Sequence, residues 1–164
     1  MTPIDWAKRP IQKFADFNGR APRAEYWWYV LAILVCTIVV SIVESILGLN
    51  QMVFGVYGPI TLLLALATLV PSIAVTIRRL HDTGRSGWWI LIAVIPYLIL
   101  AYLTVQATMA AAAGDMSSVA MLGMVTLVAL AGGIALLVFM ILPGNKGDNR
   151  YGADPYAGGA AATA

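Results

Sequence analysis

Apolar positions along this chain gather into four long runs, at about 26–48, 59–77, 88–105 and 119–142, and polar positions fall before, between and after them. At 1.5 Å per residue the first run reaches roughly 34 Å, enough to cross a hydrocarbon core of about 30 Å. Lipid offers the backbone no hydrogen-bonding partner, so each run is expected to satisfy its own amides as a helix. The fold class expected is therefore all-α: a polytopic membrane protein with four transmembrane helices. Ahead of the first run, Ile4, Trp6, Ile11, Phe14 and Phe17 recur every three to four residues beside Lys8, Arg9 and Lys13. That spacing predicts an N-terminal amphipathic helix lying in the headgroup plane.

Finer punctuation refines these elements. Asn18-Gly19 ends the amphipathic pattern, and Pro22 suits the first turn of the helix that enters the membrane at Tyr26-Trp27-Trp28-Tyr29. Small and polar residues line one face of the first span (Thr37, Ser41, Glu44, Ser45, Gly48) and one of the second (Thr61, Ala65, Thr68, Ser72, Thr76). Such faces turn toward other helices, because lipid gives them no partners. Pro71 predicts a bend in the second span unless Thr68 or Ser72 satisfies the freed carbonyl. Pro96 sits near the middle of the third span, the shortest, and Ala107–Ala113 reads equally as its extension or as a loop. Gly123, Gly132 and Gly133 permit close approach of the fourth span. Residues 1–155 form a single membrane domain, and the alanine- and glycine-rich 156–164 reads as a disordered tail.

Composition supports the bilayer reading. The chain is 60% hydrophobic and 11% charged, against about 45–50% and about 25% in soluble domains. Only Glu44 is charged from Tyr26 to Ile77, and only Asp115 from Ser86 to Asn145. Five basic residues precede the first span, three lie between the second and third, and two follow the fourth; the remaining connections have none. The positive-inside rule then puts both termini in the cytoplasm and the 49–58 and 106–118 connections outside. The tryptophan pairs Trp27-Trp28 and Trp88-Trp89 fall at the inner interface, where amphipathic rings belong. Cys36, the one cysteine, lies inside an apolar run and reads as a structural thiol.

Three polar pieces carry the remaining information: Phe17–Trp28, the segment Arg78-Arg79-Leu80-His81-Asp82-Thr83-Gly84-Arg85-Ser86-Gly87-Trp88-Trp89, read as a hinge between spans, and Pro143–Pro155. Together they resemble the domain of unknown function 805 family, small bacterial inner-membrane proteins, over nearly the whole chain. The R-R-L-H-D-x-G-x-S-G-W-W piece is the most specific. The resemblance implies an inner-membrane location and no assigned activity. Where that family tends to have a glycine after the proline of the third span, Tyr97 follows Pro96 here.

By the topology, Arg20, Arg23, Glu25, Arg78, Arg79, His81, Asp82, Arg85, Asp148 and Arg150 share one side of the membrane. A structural account is favoured, in which arginines anchor helix ends, Asp82 pairs locally, and Gly84 and Gly87 allow a tight turn. The sharper account is an anion site of Arg20, Arg23, Arg78, Arg79, His81, Asp82 and Arg85 that takes a lipid phosphate. No second histidine, cysteine pair or P-loop supports metal, nucleotide or other cofactor chemistry, so none is expected. Basic residues interleaved with tryptophan at span ends are interfacial anchors, not a nucleic-acid surface. Glu44 is expected near the outer surface, where the cost of a charge is lower.

The resulting expectation is a non-enzymatic inner-membrane module whose cytoplasmic cluster organises the fold and binds an anionic headgroup or partner. Its partners would be membrane lipids, a membrane protein or a second copy. The alternatives are a small transporter or channel, and a membrane enzyme acting on lipid headgroups. Flux in liposomes that depends on polar residues of the first two spans would mark the transporter; turnover lost on His81→Ala would mark the enzyme.

Overall fold

A computed structural model describes residues 1–49, 58–112 and 119–157. Its helices are α1 (Pro3–Gln12), α2 (Arg23–Ile46), α3 (Pro59–Asp82), α4 (Leu91–Ala112) and α5 (Val119–Ile141), with a short 3-10 turn, Gly87–Ile90, leading into α4. Four segments, Arg23–Ile46, Pro59–Asp82, Gly87–Ala110 and Met121–Ile141, are long and apolar enough to cross a membrane. Among the described residues there is no strand, only an isolated bridge between Asn149 and Gly152. Most of the outer connections and residues 158–164 of the tail lie outside the described residues.

Local sequence explains where the helices begin. The Thr2 side chain accepts from the Asp5 amide while the Asp5 carboxylate accepts from the Thr2 amide and hydroxyl, a reciprocal cap that starts α1. α1 then ends at Gln12, short of the Phe17 expected from the spacing. It also packs on α2. Pro3, Ile4 and Ala7 border an apolar trough with Trp28, Leu31 and Val35, and Arg9 reaches Glu25 at 3.4 Å. Pro22 caps α2 from outside, so the helix proper starts one residue later than expected.

The second span is longer than hydropathy suggests. α3 continues through Arg78–Asp82, so the first five residues of the supposed hinge are its last turn. The chain turns only at Thr83–Ser86, helped by Gly84 at φ +76, a left-handed conformation that suits glycine after a helix end. α3 also runs through Pro71 as one element. The Thr68 and Ser72 hydroxyls bond the carbonyls of Leu64 and Thr68, not the Ala67 carbonyl that Pro71 leaves without its usual donor. α4 reaches Ala112, which resolves 107–112 as an extension of the third span.

α4 and α5 pack against each other. A Cβ on Gly132 would stand 2.1 Å from the backbone oxygen of Ile92, so only a glycine fits this crossing. α2 and α3 form the other pair, held at their far end by Glu44. Its carboxylate, on a residue 3% exposed, accepts from the amides of Ile60 and Thr61 and from the Thr61 hydroxyl. A Cβ on Gly58 would collide with that carboxylate. Glu44 thus lies at the end of its span, as expected, but spends its charge on the unsatisfied amides and positive dipole end of α3. Replacing Glu44 with alanine removes the acceptor that the Ile60 and Thr61 amides hold among the described residues. Amide hydrogen exchange at Ile60 and Thr61 should accelerate while the basic end stays protected, and unchanged exchange there would refute the cap.

Candidate functional site

The polar pieces converge where α2 begins, α3 ends and α5 runs out. Asp82 is fully buried between two arginines: Arg20 donates through Nε at 3.0 Å, and Arg79 donates to the other carboxylate oxygen. Arg20 extends the link by donating to the carbonyls of Asn145 and Gly147. Arg79 donates to the carbonyls of Met140 and Leu142. One carboxylate therefore joins the segment before α2, the end of α3 and the segment after α5. Gly144 makes room for it, since a Cβ there would lie 2.2 Å from Asp82 Oδ2.

A second node sits beside the first. Glu25, 1% exposed, accepts from Arg78 at 2.9 Å and pairs with Arg9. Arg78 also donates to the carbonyls of Lys13 and Asp16. This node fixes the stretch between α1 and α2 onto α3. Its pairing was not legible from Arg78 and Arg79 as neighbours. Adjacent helix positions point about 100° apart, so the two arginines serve different carboxylates. Nε of Arg78 is buried with no partner among the described residues.

The final carbonyls of α3 receive donors from distant segments. Arg78 O accepts from the Ala21 amide at 3.0 Å, His81 O from the Asn149 side chain at 3.0 Å, and Asp82 O from the Asn145 amide at 2.8 Å. The Asn145 amide supplies the last of these carbonyls with a donor, while His81 O accepts from the adjacent Gly84 amide as well. His81 is half-buried. Its Nδ1 lies 3.2 Å from Gly19 O, and its ring stacks on Tyr151 with centroids 3.9 Å apart and planes 4° apart.

Of the residues expected in an anion site, Arg20 and Arg79 have all three guanidinium nitrogens engaged by protein acceptors, and Arg78 has two. Arg23 is exposed, with one bond to Leu142 O. Arg85 is half-exposed, with one 3.4 Å bond to Thr83 O and its guanidinium 4.3 Å from the Phe139 ring centre. Arg150 is exposed, with its guanidinium 4.7 Å from the Tyr151 ring centre. Asp148 stays outside the nodes and accepts from the Asp154 amide. Asp154 in turn accepts from the amides of Tyr156 and Gly147, which hold its carboxyl below the ordinary value. The segment through Ala157 is thus tied in, although Tyr156 was expected to open the tail. Among the described residues, no group of three or more His, Cys, Asp or Glu side chains is placed to hold a metal ion.

Comparison with known proteins agrees with this architecture. Residues 14–153 match a family described as protein of unknown function (DUF805). Inner membrane protein YhaI of Escherichia coli (strain K12) is 31% identical over 156 residues, covering 94% of this chain and 98% of its own length. Inner membrane protein YhaH of the same strain is 29% identical over 152 residues, covering 93% and 97%. The uncharacterized protein YiiR is 30% identical over 88 residues, 52% of this chain and 54% of its own. No solved structure matches the chain.

Proposed function

The chain belongs to the DUF805 family and is a multi-pass inner-membrane protein, and from that premise we propose that it is a non-enzymatic module whose basic end is a cytoplasmic clasp that engages anionic lipid headgroups. The carrying observation is the division of labour among the arginines. Arg20, Arg78 and Arg79 are buried and spent on carboxylates and carbonyls, whereas Arg23, Arg85 and Arg150 keep guanidinium edges open at the same end. The buried set organises the fold. The open set faces the membrane surface, where each basic residue contributes about 1 kcal/mol of attraction to anionic lipid.

Arg23→Gln with Arg85→Gln leaves both carboxylate nodes intact, so the protein should fold. Its preference for phosphatidylglycerol over phosphatidylcholine, measured by native mass spectrometry of retained lipid, should fall by about tenfold or more. An unchanged preference would remove the open arginines from the reading. The orientation is tested separately, with single cysteines in a Cys36→Ser background and an impermeant thiol reagent on intact cells. Cysteines at Asn50 and Asp115, both outside the described residues, should label. Cysteines at Ser86 and Lys146 should label only after permeabilisation, and the reverse pattern would put the clasp on the outer side.

A further inference from the structure

Beside the clasp lies a cavity of about 320 Å3 that neither carboxylate node uses. Ile77, Trp88 and Leu91 supply its apolar wall; His81, Ser86 and Gly87 supply its polar corner. It sits where α3 ends at Asp82 and the next spanning segment begins at Gly87. That is headgroup depth for a spanning helix, and Trp88, 78% exposed, marks the same level.

The corner has a defined polarity. A carbonyl oxygen only accepts, so the His81 nitrogen facing Gly19 O carries the hydrogen, and in the neutral ring Nε2 is an acceptor. Stacking on Tyr151 and the Nδ1 bond fix the ring from two directions. No donor among the described residues reaches Nε2. The space before it stays open because residue 87 is glycine: a Cβ there would lie 3.6 Å from Nε2 and 2.8 Å from Ile77 Cγ2. Ser86 Oγ accepts from the Trp88 amide, and its hydroxyl hydrogen remains a donor. The corner therefore presents one acceptor and one donor beside an apolar wall.

We propose that this cavity binds the hydroxyl-bearing headgroup of an anionic phospholipid, with a headgroup hydroxyl donating to His81 Nε2 and acyl carbons resting on Ile77, Trp88 and Leu91. Phosphatidylglycerol has this chemistry. An ammonium headgroup would also donate, but the nearby Arg85 and Arg150 charges oppose a cation and favour an anion. The inference rests on the anionic-headgroup reading above and adds the hydroxyl that this one site selects.

The test uses the full chain in detergent and native mass spectrometry with three lipids of matched acyl chains: phosphatidylglycerol, phosphatidylmethanol and phosphatidylcholine. Phosphatidylmethanol keeps the single negative charge and lacks a hydroxyl. Wild type should retain phosphatidylglycerol over phosphatidylmethanol by about fivefold to tenfold, the scale of one net hydrogen bond. Gly87→Ala, which fills the space before Nε2, should abolish that difference while keeping both anions above phosphatidylcholine. Ser86→Ala, which leaves the glycine untouched, should reduce the difference, and it serves as the readout if Gly87→Ala does not fold. Equal retention of the two anions by wild type overturns the hydroxyl site and leaves the anionic reading standing. Equal retention of all three lipids overturns both.

Discussion

Asp82→Asn is expected to destabilise the detergent-solubilised protein by about 3–5 kcal/mol, the cost of removing one partner from a buried charge pair. The substitution keeps the side chain's shape and removes its charge. Arg20 and Arg79, both buried, then face each other across a neutral amide that can no longer accept strongly from each. The effect should not be local. Asp82 lies between the arginines that tie together the segment before α2, the end of α3 and the segment after α5, so the residues following Leu142 should also become sensitive to protease. Lys8→Gln, at an exposed position on α1, is the control and should stay within about 0.5 kcal/mol of wild type. Asp154→Asn is a poor control, because that carboxylate orders its own loop through two backbone amides. Thermal unfolding of Asp82→Asn indistinguishable from Lys8→Gln would reduce the clasp to a solvated turn.

Gly132→Val should separate α4 from α5. The contact it blocks is with backbone, the carbonyl of Ile92, so no rotamer change relieves it and one helix must move bodily. Overpacking of this kind costs about 1–3 kcal/mol, and a backbone obstacle places it at the upper end. Gly123→Val provides the comparison on the same helix. A Cβ at Gly123 meets nothing within 4 Å, so that variant should melt with the wild type. Disulfide trapping between cysteines introduced at Ile92 and Ala131 would report the approach directly, with efficiency lost in Gly132→Val alone. Retained trapping and stability would show that the helices touch elsewhere.

The spans and the shared end of the basic residues were legible because hydropathy and charge placement act over many residues at once. Asp82 was also legible as a partner for arginine, since a carboxylate separated by two residues from an arginine pair and close to a third has few other fates in an apolar protein. The end of α3 was not. Leu80, His81 and Asp82 read as a turn because the donors that extend the cap beyond the adjacent Thr83–Arg85 backbone are Asn145 and Asn149, which only the folded chain brings close. Glu44 was placed at the end of its span, yet its role as the cap of α3 crosses a connection whose length says nothing of where the helices meet. Glu25 was seen as one of ten residues expected to share a side of the membrane. Its pairing with Arg78 depends on the rotation of α3, which periodicity alone did not fix.

The acceptors that complete the clasp are made last. Arg20 is synthesised ahead of every span, but two of its three protein partners, the carbonyls of Asn145 and Gly147, follow the final one. Arg79 likewise waits for Met140 and Leu142. Until those residues are made, Asp82 can satisfy one nitrogen of each guanidinium, and the other four lack the partners they hold in the finished protein. The clasp therefore closes only after the last span has been made. A chain stopped before Met140 would leave Arg20 and Arg79 with only Asp82 of the acceptors they hold in the finished protein.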